Sequence, residues 1–236
     1  AEVGGHFFDL ATKEQTAAPR TLVIHEVMGR HCGWLTAATA RKYIQRTSGN
    51  EYCEGLMMNT EMKSIDGLYL PEMAFDLEKE AARLRQVMEE RGYVTLFVSE
   101  GACLDAIVAE REAAGDEVKR DAFGHVKIDT IKLGNWFQKH FASRLNAERS
   151  MVQKSGYFAR SAPANPGDLR LIQSMVDLAV DSAMDKISGV TGHDEDNGGR
   201  LRTIEFPRIK GGKHFDLSAQ WFGDVMEVIG QPFEAA

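Results

Sequence analysis

The stretch Thr21–Trp34, TLVIHEVMGRHCGW, limits the fold more than any other part of the chain. It opens as an apolar, β-branched run, Leu22-Val23-Ile24, continued by His25-Glu26-Val27, and this predicts a buried strand. Met28-Gly29-Arg30 interrupts the run, and Gly33 follows. After Trp34 the apolar spacing becomes helical, with Leu35, Ala38 and Thr39 on one side and Arg41 and Lys42 behind them. Strand, glycine turn and helix start form half of a βα unit, and in open α/β sheets ligands sit where strands end in such turns. The turn has parts suited to an anion. Gly29 allows close backbone approach, Arg30 offers two parallel N–H groups, and a helix start adds partial positive charge. A lone Gly-Arg pair with this setting is also compatible with an ordinary surface turn.

The same alternation continues. Asp76 predicts the cap of a helix whose inner side carries Leu77, Ala81, Leu84, Val87 and Met88, and Gly92 predicts its end. Tyr93–Val98 is continuously apolar, as in a parallel strand covered on both faces, and it runs into Ser99-Glu100-Gly101. Helices are predicted over 104–114 and 133–147, a short strand over 151–153, and a long amphipathic helix over 168–186. Thr191–Arg200 reads as a loop and Leu201–Ile209 as a strand. The C-terminal tail, with Trp221, Phe222, Val225 and Ile229, reads as a docking helix. Upstream, Val3, His6, Phe7 and Leu10 suggest a helix over 1–15 that starts without a cap, and 47–66 reads as a polar surface excursion. The fold class is α/β, a Rossmann-like parallel sheet with helices on both faces.

With 236 residues, 43% of them apolar, the chain is long enough for one large α/β domain or a domain with an appendage. A net charge of −7 argues against nucleic acid and against an anionic membrane surface as partners. Its three cysteines, Cys32, Cys53 and Cys103, show no CxxC spacing, which fits a reducing compartment. No apolar run approaches the length of a bilayer span and no leader pattern opens the chain, so a cytoplasmic location is expected.

Several motifs, taken together, carry a resemblance. HEVMGRHCGW, VSEGA at 98–102, RDAFGHVKID at 120–129, QKSGYFARSAPAN at 153–165, GHDEDN at 192–197 and FPRIKGG at 206–212 follow one another in the order seen in the 6-phosphofructokinase family. From about Pro19 onward the chain resembles that family's pyrophosphate-dependent branch in its bacterial form. The resemblance implies that Met28, Gly29 and Arg30 touch fructose 6-phosphate, that Glu100 orients the sugar, and that Tyr157 and Arg160 of GYFAR bind its phosphate. Read from the residues alone, Glu100 is a capping group for the next helix and the Tyr-x-x-Arg pair a packed or exposed face. Lys154 and Arg170 are nearby cations of secondary weight.

The implied reaction is reversible phosphoryl transfer from pyrophosphate to the 1-hydroxyl of fructose 6-phosphate, giving fructose 1,6-bisphosphate and phosphate, a step of glycolysis. It implies Mg²⁺ held with the phosphoryl donor. The family's catalytic aspartate, donor loop and neighbouring lysine find no counterpart in the chain, so no catalytic residue and no metal ligand is assigned. The whole chain, 1–236, is therefore read as the sugar-phosphate part of the fold, with its tail from about 201 expected to pack on a donor half. An ATP-dependent member, a non-catalytic sugar-phosphate module and a bare interaction surface remain open as alternatives. Homo-oligomers are implied, with Arg20 a candidate for completing a neighbouring subunit's site. His193-Asp194-Glu195-Asp196 invites a metal reading, although such runs in glycine-bounded loops are more often solvated. Lys210–Lys213 lacks the spacing of a phosphate loop and reads as a turn.

Overall fold

The computed structural model describes residues 1–13, 18–48, 63–122, 124–209 and 213–235. These divide into two compact units, Ala1–Ser161 with His214–Ala236, and Ala162–Lys213.

The larger unit is built on a four-stranded parallel sheet in the order β2-β4-β1-β5. Helix α1 (Glu2–Ala11) precedes β1 (Thr21–Val27); α2 (Trp34–Thr47), β2 (Gly67–Tyr69) and the short β3 (Met73–Ala74) follow. Next come α3 (Leu77–Arg91), β4 (Tyr93–Ser99), α4 (Leu104–Ala113), α5 (Leu133–Arg144), β5 (Arg149–Lys154) and α6 (Gly156–Ser161). Every residue of β1 and β4 is buried, as their largely apolar character requires of strands covered on both faces. β1 is flanked in register by β4, with Thr21 opposite Tyr93 and Val27 opposite Ser99, and by β5, with Glu26 opposite Lys154.

Two cores lie on the two faces of the sheet. One joins Leu22, Ile24, Leu96 and Val98 to Leu84 and Met88 of α3 and to Phe137 and Phe141 of α5. The other joins Val23, Val27 and Phe97 to Phe8 of α1, Tyr43 of α2 and Phe222 of the C-terminal helix. Asp76 caps α3 by accepting the N–H groups of Glu78 and Lys79, and Gly92 closes that helix in the left-handed conformation at φ 80°. Arg20, just before β1, donates to the carbonyls of Leu145 and Asn146, both at 2.7 Å, at the end of α5. That guanidinium is thus engaged within its own chain.

The face that α1 buries differs from the one its spacing suggests. Gly4, Gly5, Phe8 and Asp9 are buried, whereas Leu10 is exposed. The cause is close helix packing: a Cβ on Gly5 would lie 3.0 Å from the backbone N of Tyr43 in α2. Asp9 is buried without being stranded, since Lys63 and Arg46 reach its carboxylate at 2.6 and 3.0 Å and hold it below the usual carboxylate range against the opposing effect of burial.

The smaller unit holds α7 (Pro166–Met184) and a hairpin of β6 (Val190–Asp194) and β7 (Arg200–Ile204). The hairpin corrects the reading of Thr191–Arg200 as a loop and shortens the strand expected over 201–209. Gly198 and Gly199, at φ 69° and 71°, supply the left-handed turn that lets a polar, glycine-containing segment fold back and pair. Phe206–Arg208 is a 3₁₀ turn. In the larger unit α8 (Gln220–Ile229) buries Phe222, Val225 and Met226, and β8 (Glu234–Ala235) pairs with β3. The region beyond 201 is thus shared between the two units. Most of the 47–66 excursion and the turn at 210–212 lie outside the described residues.

Candidate functional site

The C-terminal ends of β1, β4 and β5 meet at a cleft of about 360 Å³. It is lined by Glu26, Val27 and Met28 from β1 and its turn, by Glu100 after β4, and by Lys154, Gly156, Tyr157 and Arg160 from β5 and α6. Ile128 and Lys132, from the segment leading into α5, complete it. Four of the six residues expected from the sequence, Met28, Glu100, Tyr157 and Arg160, therefore face one space.

Gly29 and Arg30 are not among the lining residues, and each has a structural task. Gly29 sits at φ 152°, and a Cβ there would lie 2.6 Å from the Cys32 carbonyl oxygen and 2.8 Å from Ser99 Oγ. Its carbonyl accepts from the Gly101 N–H and the Ser99 hydroxyl, and its N–H donates to Glu100 at 3.3 Å. Gly101 is tighter still, since a Cβ on it would fall 1.8 Å from the Arg30 carbonyl oxygen. Glycines here lock the MGR turn onto the turn after β4. The Arg30 guanidinium donates to the Val126 carbonyl at 2.5 Å. The start of α2 is not a free anion seat either: the Gly33 N–H donates to both carboxylate oxygens of Glu72 at 3.1 Å.

GYFAR folds as a helical turn, which the sequence reading did not assign. Within it Tyr157 and Arg160, three apart, lie on one side. Phe158 stacks on Phe7 of α1 with ring centroids 4.7 Å apart, which orients the turn. Tyr157 is 85% exposed, so its phenol is open to a ligand. Met28 packs against Gly156 at 3.0 Å from where a Cβ would be.

Two members of the site were passed over in the sequence. Glu26 sits inside a run that reads as strand core, and Lys132 precedes a helix. One signal for Glu26 was available: a carboxylate near the C-terminal end of an otherwise apolar buried strand. Cys103, close behind Glu100, has its thiol pushed up to about 12 by burial and is no nucleophile at neutral pH.

The arrangement can hold a phosphorylated polyol. Lys132, Lys154 and Arg160 supply positive charge and Tyr157 an O–H donor for phosphate oxygens. Glu100 supplies an acceptor for hydroxyls. In the smaller unit, Asp194 accepts from Arg208 at 2.6 and 2.9 Å and from Asn197 at 2.6 Å. The HDED run is therefore engaged in ion pairs, with Asp194 held far below the usual carboxylate range by Arg208. Arg170, on α7, belongs to the same unit. Among the described residues no cluster of three or more His, Cys, Asp or Glu could hold a metal ion, and no helix is long and apolar enough to cross a membrane.

No protein-family model matches the chain. It is 53% identical over 232 residues to a pyrophosphate–fructose 6-phosphate 1-phosphotransferase of Methylomonas methanica, an alignment that takes in 98% of this chain and 57% of that protein. It is 52% identical over 232 residues to a protein of the same name from Mastigamoeba balamuthi, again across 98% of this chain. The crystal structure of a pyrophosphate-dependent phosphofructokinase from Marinobacter aquaeolei superimposes with a TM-score of 0.57 at 18% identity, across 97% of this chain and 53% of that one. That likeness shows the fold, the α/β architecture of the phosphofructokinases. The chain spans somewhat more than half the length of these two curated relatives, and along nearly all of its own length it is related to them.

Proposed function

We propose that this chain forms the sugar-phosphate side of a pyrophosphate-dependent 6-phosphofructokinase. The observation that carries the reading is the cleft itself. Three cationic side chains, a phenol and a free-facing carboxylate converge where parallel strands end, in a chain whose relatives are named for fructose 6-phosphate. Arg160 and Tyr157 hold the 6-phosphate, assisted by Lys154 and Lys132. Glu100 accepts hydrogen bonds from the furanose hydroxyls, and Met28 packs against the sugar. Gly29 and Arg30 contribute through the shape of their turn.

In the reaction so proposed, the sugar's 1-hydroxyl oxygen attacks the terminal phosphorus of pyrophosphate. The bridging P–O bond breaks, inorganic phosphate leaves, and the hydroxyl proton passes to a base that the residues of this cleft do not supply. This chain's part is positioning, and correct alignment of two reactants supplies about 7–11 kcal/mol of a barrier. Mg²⁺ would neutralise charge on the donor phosphates. The described residues contain no cluster fit to seat it, so none of the steps assigned to this chain passes through the metal. A cytoplasmic, homo-oligomeric enzyme of glycolysis is the setting this reading implies.

The test is titration of the purified chain with fructose 6-phosphate, read by calorimetry and thermal shift. Saturable binding is expected, with stabilisation of about 2.7 kcal/mol at one hundred times the dissociation constant. Arg160→Met is expected to weaken it by about 1.5–3 kcal/mol, the range for a hydrogen bond to a charged group. Absence of binding, or binding indifferent to Arg160→Met, would overturn the assignment. The chain alone is expected to show no phosphoryl transfer.

A further inference from the structure

The two carboxylates of the cleft are bound very differently. Among the described residues the Glu100 carboxylate accepts one hydrogen bond, from the Gly29 N–H at 3.3 Å. Glu26 has both oxygens engaged: Oε1 accepts from Lys154 Nζ at 2.7 Å and Oε2 from the Gly134 N–H at 2.8 Å. Its side chain is 10% exposed, whereas that of Lys154 is 52% exposed. Parallel pairing of β1 with β5 sets these two residues directly opposite each other.

Gly134 lies in the first turn of α5, two residues after Lys132. A Cβ at Gly134 would stand 2.7 Å from Glu26 Oε2 and 2.5 Å from Val152 Cγ1, so the helix start reaches the carboxylate only because that residue is glycine. Lys132 itself adopts the left-handed conformation at φ 52° and lines the cleft.

From this geometry we infer that Glu26 is a positioning residue for the cationic wall of the cleft. One oxygen sets the ammonium of Lys154, and the other fixes the start of α5 and with it Lys132. A nearly buried anion beside a site for a dianionic ligand would repel that ligand if it stood alone. Paired with Lys154, it instead fixes where the positive charge stands before the ligand arrives. With each oxygen already committed to a protein donor, Glu26 serves the cationic wall, and Glu100 is the carboxylate turned to the ligand. The inference rests on the reading of the cleft as a sugar-phosphate site.

The experiment is a double-mutant cycle on the whole chain with Glu26→Gln, Lys154→Met and both, read in two ways. Glutamine keeps the shape and an oxygen for the Gly134 N–H but loses the charge that holds Lys154. In fructose 6-phosphate titrations, Glu26→Gln is expected to weaken binding about tenfold in the parent chain and less than about twofold in the Lys154→Met background. Without ligand, amine labelling followed by peptide mass spectrometry is expected to show Lys154 reacting several-fold faster in Glu26→Gln. Lys139, whose side chain is 77% exposed, serves as the unchanged internal reference. Additive losses, unaltered or tighter binding, or an unaltered labelling rate would overturn the inference. Faster labelling in a chain that binds no fructose 6-phosphate would sustain the positioning role and overturn the ligand. Should Glu26→Gln fail to fold, Glu26→Asp keeps the charge but shortens the reach, and the same acceleration of Lys154 is expected from it.

Discussion

Helices α5 and α7 carry comparable apolar spacing, yet they meet opposite fates. α5 sinks Phe137 and Phe141 into the core beneath the sheet, both fully buried. α7 is the better-formed helix on local grounds. Asn165 caps it by accepting the Asp168 N–H, Asp168 returns the contact in a full capping box, and Pro166 stands at its first turn. Even so, Leu169, Ile172, Val176 and Val180 along its apolar side are all at least half exposed, and Ser182 is its one buried residue among those described. Periodicity thus predicts that a helix forms and which side is apolar. Whether that side is covered depends on what stands opposite, which no local pattern encodes.

The largest expected effect tests the buried side of this contrast. Phe137→Ala should cost about 3–5 kcal/mol of unfolding free energy in denaturant titration. A loss below about 1 kcal/mol would show that the core under α5 is loosely packed. Next comes the seam between the turns that follow β1 and β4. Gly101→Ala places a methyl against the Arg30 backbone and should cost about 1–3 kcal/mol while also weakening fructose 6-phosphate binding. An unchanged affinity would separate the turn geometry from the cleft.

His25, on the opposite face of β1 from Glu26, sharpens the buried side with a pH dependence. Its ring stacks on Phe8 at 4.5 Å, and neither nitrogen has a hydrogen-bond partner among the described residues. Burial lowers its pKa from 6.5 to about 3. The unfolded chain therefore binds a proton that the folded chain does not throughout that window. Stability from the neutral ring is complete above pH 6.5 and declines as the pH falls towards 3, at up to about 1.4 kcal/mol per pH unit. His25→Phe should flatten this part of the acid limb in unfolding curves recorded from pH 7 to pH 4. An unaltered slope would mean the ring charges in place.

The two smallest effects belong to α7. Asn165→Ala should cost about 1 kcal/mol, seen as faster amide exchange confined to the first turns of the helix. Ile172→Ala should change stability by no more than about 0.5 kcal/mol, the usual range for a surface position. A cost comparable to that of Phe137→Ala would mean that this side is covered in solution, and the contrast would fail.

Much of the site was legible because its turns follow strands whose character is local. LVIHEV and YVTLFV announce buried parallel strands, and the glycines behind them announce where the chain turns at their C-terminal ends. Glu100, Tyr157, Arg160 and Met28 fall at those ends, so their convergence follows once the strands are neighbours. What the Arg30 side chain reaches was not legible, for a physical reason. A guanidinium beside a glycine turn suits a phosphate or a carbonyl equally well, and here Val126, 96 positions away, takes it. Of the hairpin, β7 falls largely within the strand read from 201, whereas β6, VTGHD, was hidden because it is short, polar and interrupted by a glycine.

The sequence by itself determined the strands β1 and β4 with the helices that follow them, the capping of α3, and the turns at the C-terminal edge of the sheet. All of these are set by interactions within a few residues, through dihedral preference, side-chain period and local hydrogen bonds. Only the tertiary structure decided which side of α1 is buried, where Arg30 points, that the apolar side of α7 stays open, and that Glu26 meets Lys154. That last pair spans 128 positions. Its formation depends on β5 lying beside β1 in one particular register, because a shift of one residue would turn Lys154 to the opposite face of the sheet.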